Sequence, residues 1–546
     1  MSSDVKEFPT CSLYEYILEQ SAEHIDMIAL QYFTRKISYR HFFEKIDECA
    51  RALVALGVKR GETVSICLPN IPEAIYLFYA VSKIGAVANM IHPQSAVNEM
   101  KYYLNVSDCK YIFALDASCK HLCDALPETK VEKIVVVSAA ESMPFDVKIS
   151  FLLSSRKKNI IPNDSITWKN FLSMGKSITE EVKVSPAPDE CAVILYSGGT
   201  TGRSKGIMLS NIGFNSVALQ SIERCGCLKA GDRVLSVMPI FHGFGLGVCI
   251  HTVMVFGGTA VILPKFKAAN FYKLLFKYKP NVTIGVPAIY ESFLQNKEFE
   301  HADLSFLKCI ICGGDSLSVS TKRKFDEMLR KCGCKTEIRS GYGLTESVTG
   351  ICLMPENSGK DAGVGLPYYA TDVKIVDAKT DEELPYGESG EIIISGPSVM
   401  LGYAKEPTES ANVLRKREDG KTWLYTGDIG KMDEDGYVYF LQRRKRVIIS
   451  GGYNIYPQII EDVINSHSNV LVSAAVGIQD DIMGQKCKAF IVLKDKNCDI
   501  ESVRKEIRKL CNTNIARYAL PREYIFIDEM PRTKVGKIAY TELQNL

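Results

Sequence analysis

Apolar strand-like runs alternate with amphipathic helices over residues 38–91, and this alternation constrains the fold of the 546-residue chain more than any other feature. Phe42, Ile46, Cys49, Leu53 and Leu56 recur at helical spacing and form one apolar stripe. Residues 63–68 then read as a strand, 72–84 as a helix with proline at its start, and 87–91 as another strand. Strands separated by helices pair in parallel and are covered by those helices, so the fold class is α/β. Residues 110–115 and 133–137 repeat the pattern, and strands are expected again at 233–237, 259–263, 283–286 and 308–311.

After Gly363 the texture changes. Short strands at 373–376, 391–395 and 437–440 alternate with Gly, Pro and Asp turns, as in a small β-rich subdomain. A basic cluster, Arg443-Arg444-Lys445-Arg446, closes that region. Beyond it, helices at 458–465 and 500–511 and strands at 474–477, 488–493 and 524–527 suit a compact α+β unit. The expected organisation is a large N-terminal domain, residues 1–444, and a small, mobile C-terminal domain, 445–546.

Composition excludes several classes. A formal net charge of +2 leaves no basic field for nucleic acid. The 18 cysteines lack zinc spacing, and an N-terminus without an apolar signal core suits reduced thiols in a cytoplasmic protein. The uncharged run 234–264 is long enough for a membrane span, but Pro239, His242, His251 and Gly257-Gly258 divide it into strand, loop, helix, turn and strand.

Chemistry concentrates in a few stretches. Tyr196-Ser197-Gly198-Gly199-Thr200-Thr201-Gly202-Arg203-Ser204-Lys205-Gly206 combines hydroxyls, glycines and cations with no acid, the ingredients of a polyphosphate cradle. It is not a Walker loop, because Ser204 and Gly206 break that pattern. Tyr342-Gly343-Leu344-Thr345-Glu346 sets one acid beside a hydroxyl, suited to magnesium or to a helix start. Thr426-Gly427-Asp428 offers a ribose ligand or a capped turn. Gly536-Lys537-Ile538 lies near the end of the chain.

Taken in order, these motifs resemble the adenylate-forming superfamily of acyl-CoA synthetases, beetle luciferases and peptide-synthetase adenylation domains, from about residue 15 onward. The resemblance implies that a carboxylate and ATP form an acyl-adenylate, which a thiol then captures. It implies that Ser197, Gly198, Gly199, Thr200, Thr201, Gly202 and Lys205 hold phosphates, and that Thr345 and Glu346 hold the α-phosphate and Mg2+. Gly314 and Asp315 would lie against adenine, Tyr342 would stack on it, and Asp428 and Arg443 would bind ribose. Lys445 matches the hinge and Lys537 the lysine bridging carboxylate and α-phosphate. Three positions depart from the usual pattern: Ser204 for Pro, Arg446 for Asp and Ile459 for Glu.

His242, in Pro239-Ile240-Phe241-His242-Gly243-Phe244-Gly245, stands where amino-acid-activating members carry Asp, which disfavours an ammonium substrate. Fatty or aryl acids are therefore expected, with Gly243, Gly245, Gly313, Gly314 and Gly341 leaving room for an alkyl tunnel. The expected acceptor is coenzyme A, with Gly451, Gly452 and Tyr453 beside the pantetheine path. A carrier-protein phosphopantetheine is the alternative acceptor, and a non-catalytic acyl-nucleotide-binding protein is a third reading.

Overall fold

A computed structural model describes all residues except 1–6, 155–159, 198–203, 267–269, 295, 300–301, 451–452, 481–482, 516 and 534–535. Among the described residues the strands form four sheets. The first has eight strands. Its parallel centre is built from Val87–Met90, Thr63–Cys67, Tyr111–Leu115 and Lys133–Val137, the strands expected from helix-strand alternation. The second has nine strands, with a parallel run through Thr259–Ile262, Arg233–Leu235, Val282–Gly285, Cys309–Cys312 and Ile338–Tyr342. Every residue of Val282–Gly285 and Cys309–Cys312 is buried, as parallel strands covered on both faces require.

Helices pack between and around these sheets. Ser38 caps Tyr39–Leu56 by accepting from the His41 N–H, and Gly57 ends the helix at φ 99°, a left-handed conformation that favours glycine. Pro72–Lys83 is buried along its whole length, as befits a helix held between layers. One continuous apolar core joins both large sheets.

The uncharged run resolves as expected: strand Arg233–Leu235, a loop, helical turns through Phe244–His251 and Thr252–Val255, a glycine turn, and strand Thr259–Ile262. Among the described residues no helix is long and apolar enough to cross a membrane. Phe244–His251 is wound as a π-helix, a wide turn frequent at functional sites.

The third sheet, Asp372–Val376, Gly390–Ser395, Thr422–Met432, Leu414–Lys416 and Val438–Arg443, is antiparallel. The fourth begins at Ile448–Ser450 and pairs Val470–Asp480 with Gly484–Leu493 over most of their length. Its two faces carry their own apolar clusters, around Ile460 and Ile507 on one and Phe490 and Leu543 on the other. Neither cluster draws residues from the main core, so this last part of the chain has a core of its own.

Candidate active site

The glycine- and hydroxyl-rich stretch connects two antiparallel strands, Cys191–Ser197 and Lys205–Ser210, with Ser197 opposite Lys205. It therefore leads into a strand. The following helix, Asn211–Cys225, starts a full strand later, capped by Ser210. Gly198, Gly199, Thr200, Thr201 and Gly202 lie outside the described residues. Lys205 pairs with Glu409 and sits 4.5 Å from the centre of the Tyr403 ring. Ser204, which the motif alone left unexplained, accepts a hydrogen bond from the Tyr103 hydroxyl at 3.2 Å. Tyr103 in turn packs on Tyr196, ring centres 3.9 Å apart, so a proline at position 204 would leave that buried hydroxyl without this partner.

Tyr342-Gly343-Leu344-Thr345-Glu346 leaves the end of strand Ile338–Tyr342 through a tight turn, Thr345–Ser347. The turn is strained. Val348 and Thr349 both take left-handed backbone (φ 53° and 62°), which is costly for β-branched residues and concentrates at functional sites. Gly343 is obligatory here: a Cβ would stand 2.1 Å from the Thr349 carbonyl oxygen. The result fixes Glu346, whose Oε1 accepts from the Tyr403 hydroxyl at 3.1 Å and whose carbonyl accepts from the Met400 N–H. Among the described residues no cluster of three or more His, Cys, Asp or Glu could hold a metal unaided. One carboxylate beside the Thr345 hydroxyl nevertheless fits magnesium, which takes few protein ligands and completes its shell with phosphate and water.

Asp428 and Arg443 face each other across antiparallel strands. Tyr342 donates to Asp428 Oδ2 at 2.6 Å. Arg443 Nη1 lies 2.9 Å from Oδ1, but off hydrogen-bonding angle, so that buried oxygen has no hydrogen-bond donor. Such an orphan is what a sugar hydroxyl would satisfy. Burial raises the Asp428 carboxyl above its usual range, with Arg443 opposing the shift. Tyr342 stacks against Phe440 at 5.9 Å. Sequence reasoning missed Glu391, a buried carboxylate that accepts from the Gly427 N–H at 2.9 Å and pairs with Arg444 at 3.0 Å. It fixes the backbone of Gly427, within strand Thr422–Met432 and not in the turn expected from sequence, beside Asp428, and no motif marked it.

Lys537 enters the same cavity from the far end of the chain, its Cε packed over Gly314 (φ 80°), 3.9 Å from where a Cβ would project. Its exposed surface faces the cavity, and enclosure by protein lowers its pKa while Asp315 supports the charge. Asp315, Glu346, Asp428 and Arg443 all act electrostatically on this ammonium. His242 faces it too: burial, then Lys537 and His92, lower the imidazole to about 4, and its Nε2 has no partner. The neighbouring Phe241 ring packs 4.2 Å from His92. Lys445 is exposed in the turn Arg444–Arg446 and lines the cavity. Gly451 and Gly452 fall outside the described residues; Tyr453 begins strand Tyr453–Ile455, opposite Ser450.

The cavity measures about 1560 Å3. Beyond the residues expected from sequence, an apolar arm runs between Leu228, Val234, Val248, Phe256, Val282 and Ile284. All five glycines expected to leave room line the cavity, but Gly243 and Gly245 are also closely packed. A Cβ on Gly245 would stand 2.0 Å from the Pro239 carbonyl oxygen and one on Gly243 2.9 Å from the Thr349 methyl. At these two positions the lack of a side chain is used for close packing.

Of the other two departures, Arg446 has a structural answer. Arg446 pairs with buried Glu461 at 2.7 Å and its guanidinium stacks 3.4 Å from the centre of the Tyr540 ring, so the segment beside Lys445 has a charge pair, differently composed. Ile459 is half exposed on helix Pro457–Asn465.

Residues 17–404 match the model of the AMP-binding enzyme family, and residues 459–537 that of the AMP-binding enzyme C-terminal domain. A long-chain-fatty-acid–CoA ligase of Bacillus subtilis is 32% identical over 542 residues, covering 97% of this chain and 93% of its own. A probable 4-coumarate–CoA ligase of Dictyostelium discoideum is 29% identical, covering 92% and 89%. The solved structure of a benzoate CoA ligase from Burkholderia xenovorans superposes with a TM-score of 0.82 at 21% identity, covering 98% and 99%, and shares the fold.

Proposed function

Because the chain belongs to the AMP-binding enzyme family, we propose that it is an ATP-dependent carboxylic acid–CoA ligase acting through an acyl-adenylate and releasing AMP and pyrophosphate. The observation that carries this reading is the convergence of Lys537, Glu346, Asp428 and Arg443, from distant parts of the chain, on one cavity.

A carboxylate approaching the α-phosphate meets like-charge repulsion. The Lys537 ammonium offsets it where negative charge develops, a contribution of several kcal/mol in an enclosed site. Asp428 and Arg443 hold the ribose, Gly314, Asp315 and Tyr342 the adenine, and Ser197, Lys205 and the loop between them the departing phosphates. Glu346 and Thr345 would hold magnesium, which would supply charge neutralisation at the phosphates. No protein nucleophile is required, since positioning dominates such reactions. After adenylation the lysine must withdraw so that the thiol of CoA can attack the acyl carbon, displacing AMP. A small domain hinged near Lys445 provides that motion.

The substrate is a fatty acid. The apolar arm accepts an alkyl chain, and a histidine that burial keeps neutral, where an ammonium would need an acid, rejects amino acids. ATP–pyrophosphate exchange across fatty, aryl and amino acids, repeated with CoA present, tests this. Exchange with long-chain acids and thioester formation with CoA are expected; exchange with amino acids alone would overturn it.

A further inference from the structure

Glu291, on helix Pro287–Leu294 of the large part of the chain, is a carboxylate that the reaction above does not use, and its side chain is only 14% exposed. Its partner comes from the other end of the chain: Arg532 Nη2 donates to Glu291 Oε2 at 2.9 Å. The same guanidinium donates through Nη1 to the Gly536 carbonyl at 3.0 Å. Lys537 is the next residue. The segment is folded back on itself, with the Thr533 N–H donating to Lys537 O at 2.7 Å, the Lys537 N–H to Thr533 Oγ1 at 3.2 Å, and Arg532 bridged to Ile538. Gly536 takes φ 86° to make this turn, and a Cβ there would stand 3.6 Å from the Val286 side chain, one residue before the Glu291 helix.

We propose that Arg532 is a positioning residue for adenylation: by gripping Glu291 and the Gly536 carbonyl with the two arms of one guanidinium, it fixes the Lys537 loop against the large domain. A planar fork of donors is suited to hold two acceptors at a set separation, which a lysine cannot do. The grip exists only while the two parts of the chain are apposed. When the small domain turns away, both charges pass to solvent, so the pair favours the adenylation arrangement without contributing to the thiol step. This inference rests on the acyl-adenylate reading above.

The two half-reactions separate the outcomes. In Arg532→Ala and in Glu291→Gln, adenylation, followed by pyrophosphate exchange, is expected to fall 10- to 100-fold in kcat with little change in the KM for ATP. Thioester formation from supplied acyl-adenylate and CoA is expected to stay within about twofold. Arg532→Lys should recover only part of the loss, and the swapped pair Glu291→Arg/Arg532→Glu more than either single reversal. Hydrogen exchange at the Thr533 and Lys537 amides should quicken in Glu291→Gln, a readout that does not depend on turnover. Equal losses in both half-reactions, or unchanged adenylation and unchanged exchange at those amides, would overturn the proposal. A wild-type protein with no pyrophosphate exchange for any acid would instead sink the reading on which it rests, while the amide exchange would still report on the latch.

Discussion

The Arg443 guanidinium lies 2.9 Å from an Asp428 carboxylate that is almost wholly buried, and the carboxylate oxygen it faces has no hydrogen-bond donor. An ion pair with an unfilled acceptor is poised to take a ligand hydroxyl. Removing the cation leaves a buried charge uncompensated, which generally costs about 3–5 kcal/mol. Arg443→Ala is therefore expected to raise the KM for ATP at least tenfold, read by initial rates over an ATP series. An unchanged KM would remove the pair from the nucleotide site.

Lys537→Ala should reduce adenylation about 1000-fold, the scale of an electrostatic stabiliser in an enclosed site. Thioester formation from supplied acyl-adenylate and the melting temperature should stay near wild type. Enclosure by protein lowers the Lys537 pKa, and the role proposed for it requires the ammonium. In the free enzyme, kcat/KM for adenylation should thus fall with rising pH before the ordinary lysine range, and Lys537→Arg should move that fall to higher pH. Undiminished pyrophosphate release from the alanine variant would refute the assignment.

Arg446 offers a test of the rebuilt charge pair. Arg446→Asp would restore the residue usual in similar chains but set a carboxylate against buried Glu461 and remove the cover on Tyr540. We expect a loss of about 3–5 kcal/mol in the unfolding of the C-terminal part, measured by urea denaturation, and partial recovery in Arg446→Asp/Glu461→Arg.

Val248 lines the apolar arm from the wide helical turn after His242. Val248→Trp should cut kcat/KM for long-chain acids tenfold or more while sparing short ones, since each excluded methylene is worth about 1 kcal/mol or more. A uniform loss across chain lengths in a competition panel would show that the arm does not hold the substrate.

His242 and His251 are held neutral by burial, at about 4 and about 3, against about 6.5 when unfolded. Between those values the unfolded chain binds more protons than the folded one, so stability present above pH 6.5 drains away as pH falls toward 4. Urea midpoints at pH 7, 6 and 5 should decline. His251→Gln, which can still meet Tyr79 and Asn215 but does not titrate, should flatten part of the decline.

Hydrophobic period and motif order determined a good deal by themselves. The parallel strands, the division of residues 234–264 and the identity of the family were readable because each rests on local spacing: a strand such as Cys309–Cys312 announces its burial in four consecutive residues. What only the tertiary structure decided was relational. Ser204 is explained by Tyr103, Arg446 by Glu461 and Tyr540, the backbone beside Asp428 by Glu391, and the Lys537 loop by Glu291. The strands flanking the glycine-rich stretch pair antiparallel, and the second finds a further partner in Gly402–Tyr403, far along the chain. Side-chain partners and sheet neighbours are chosen by three-dimensional proximity, and a linear spacing rule carries no information about contacts that closing the chain creates.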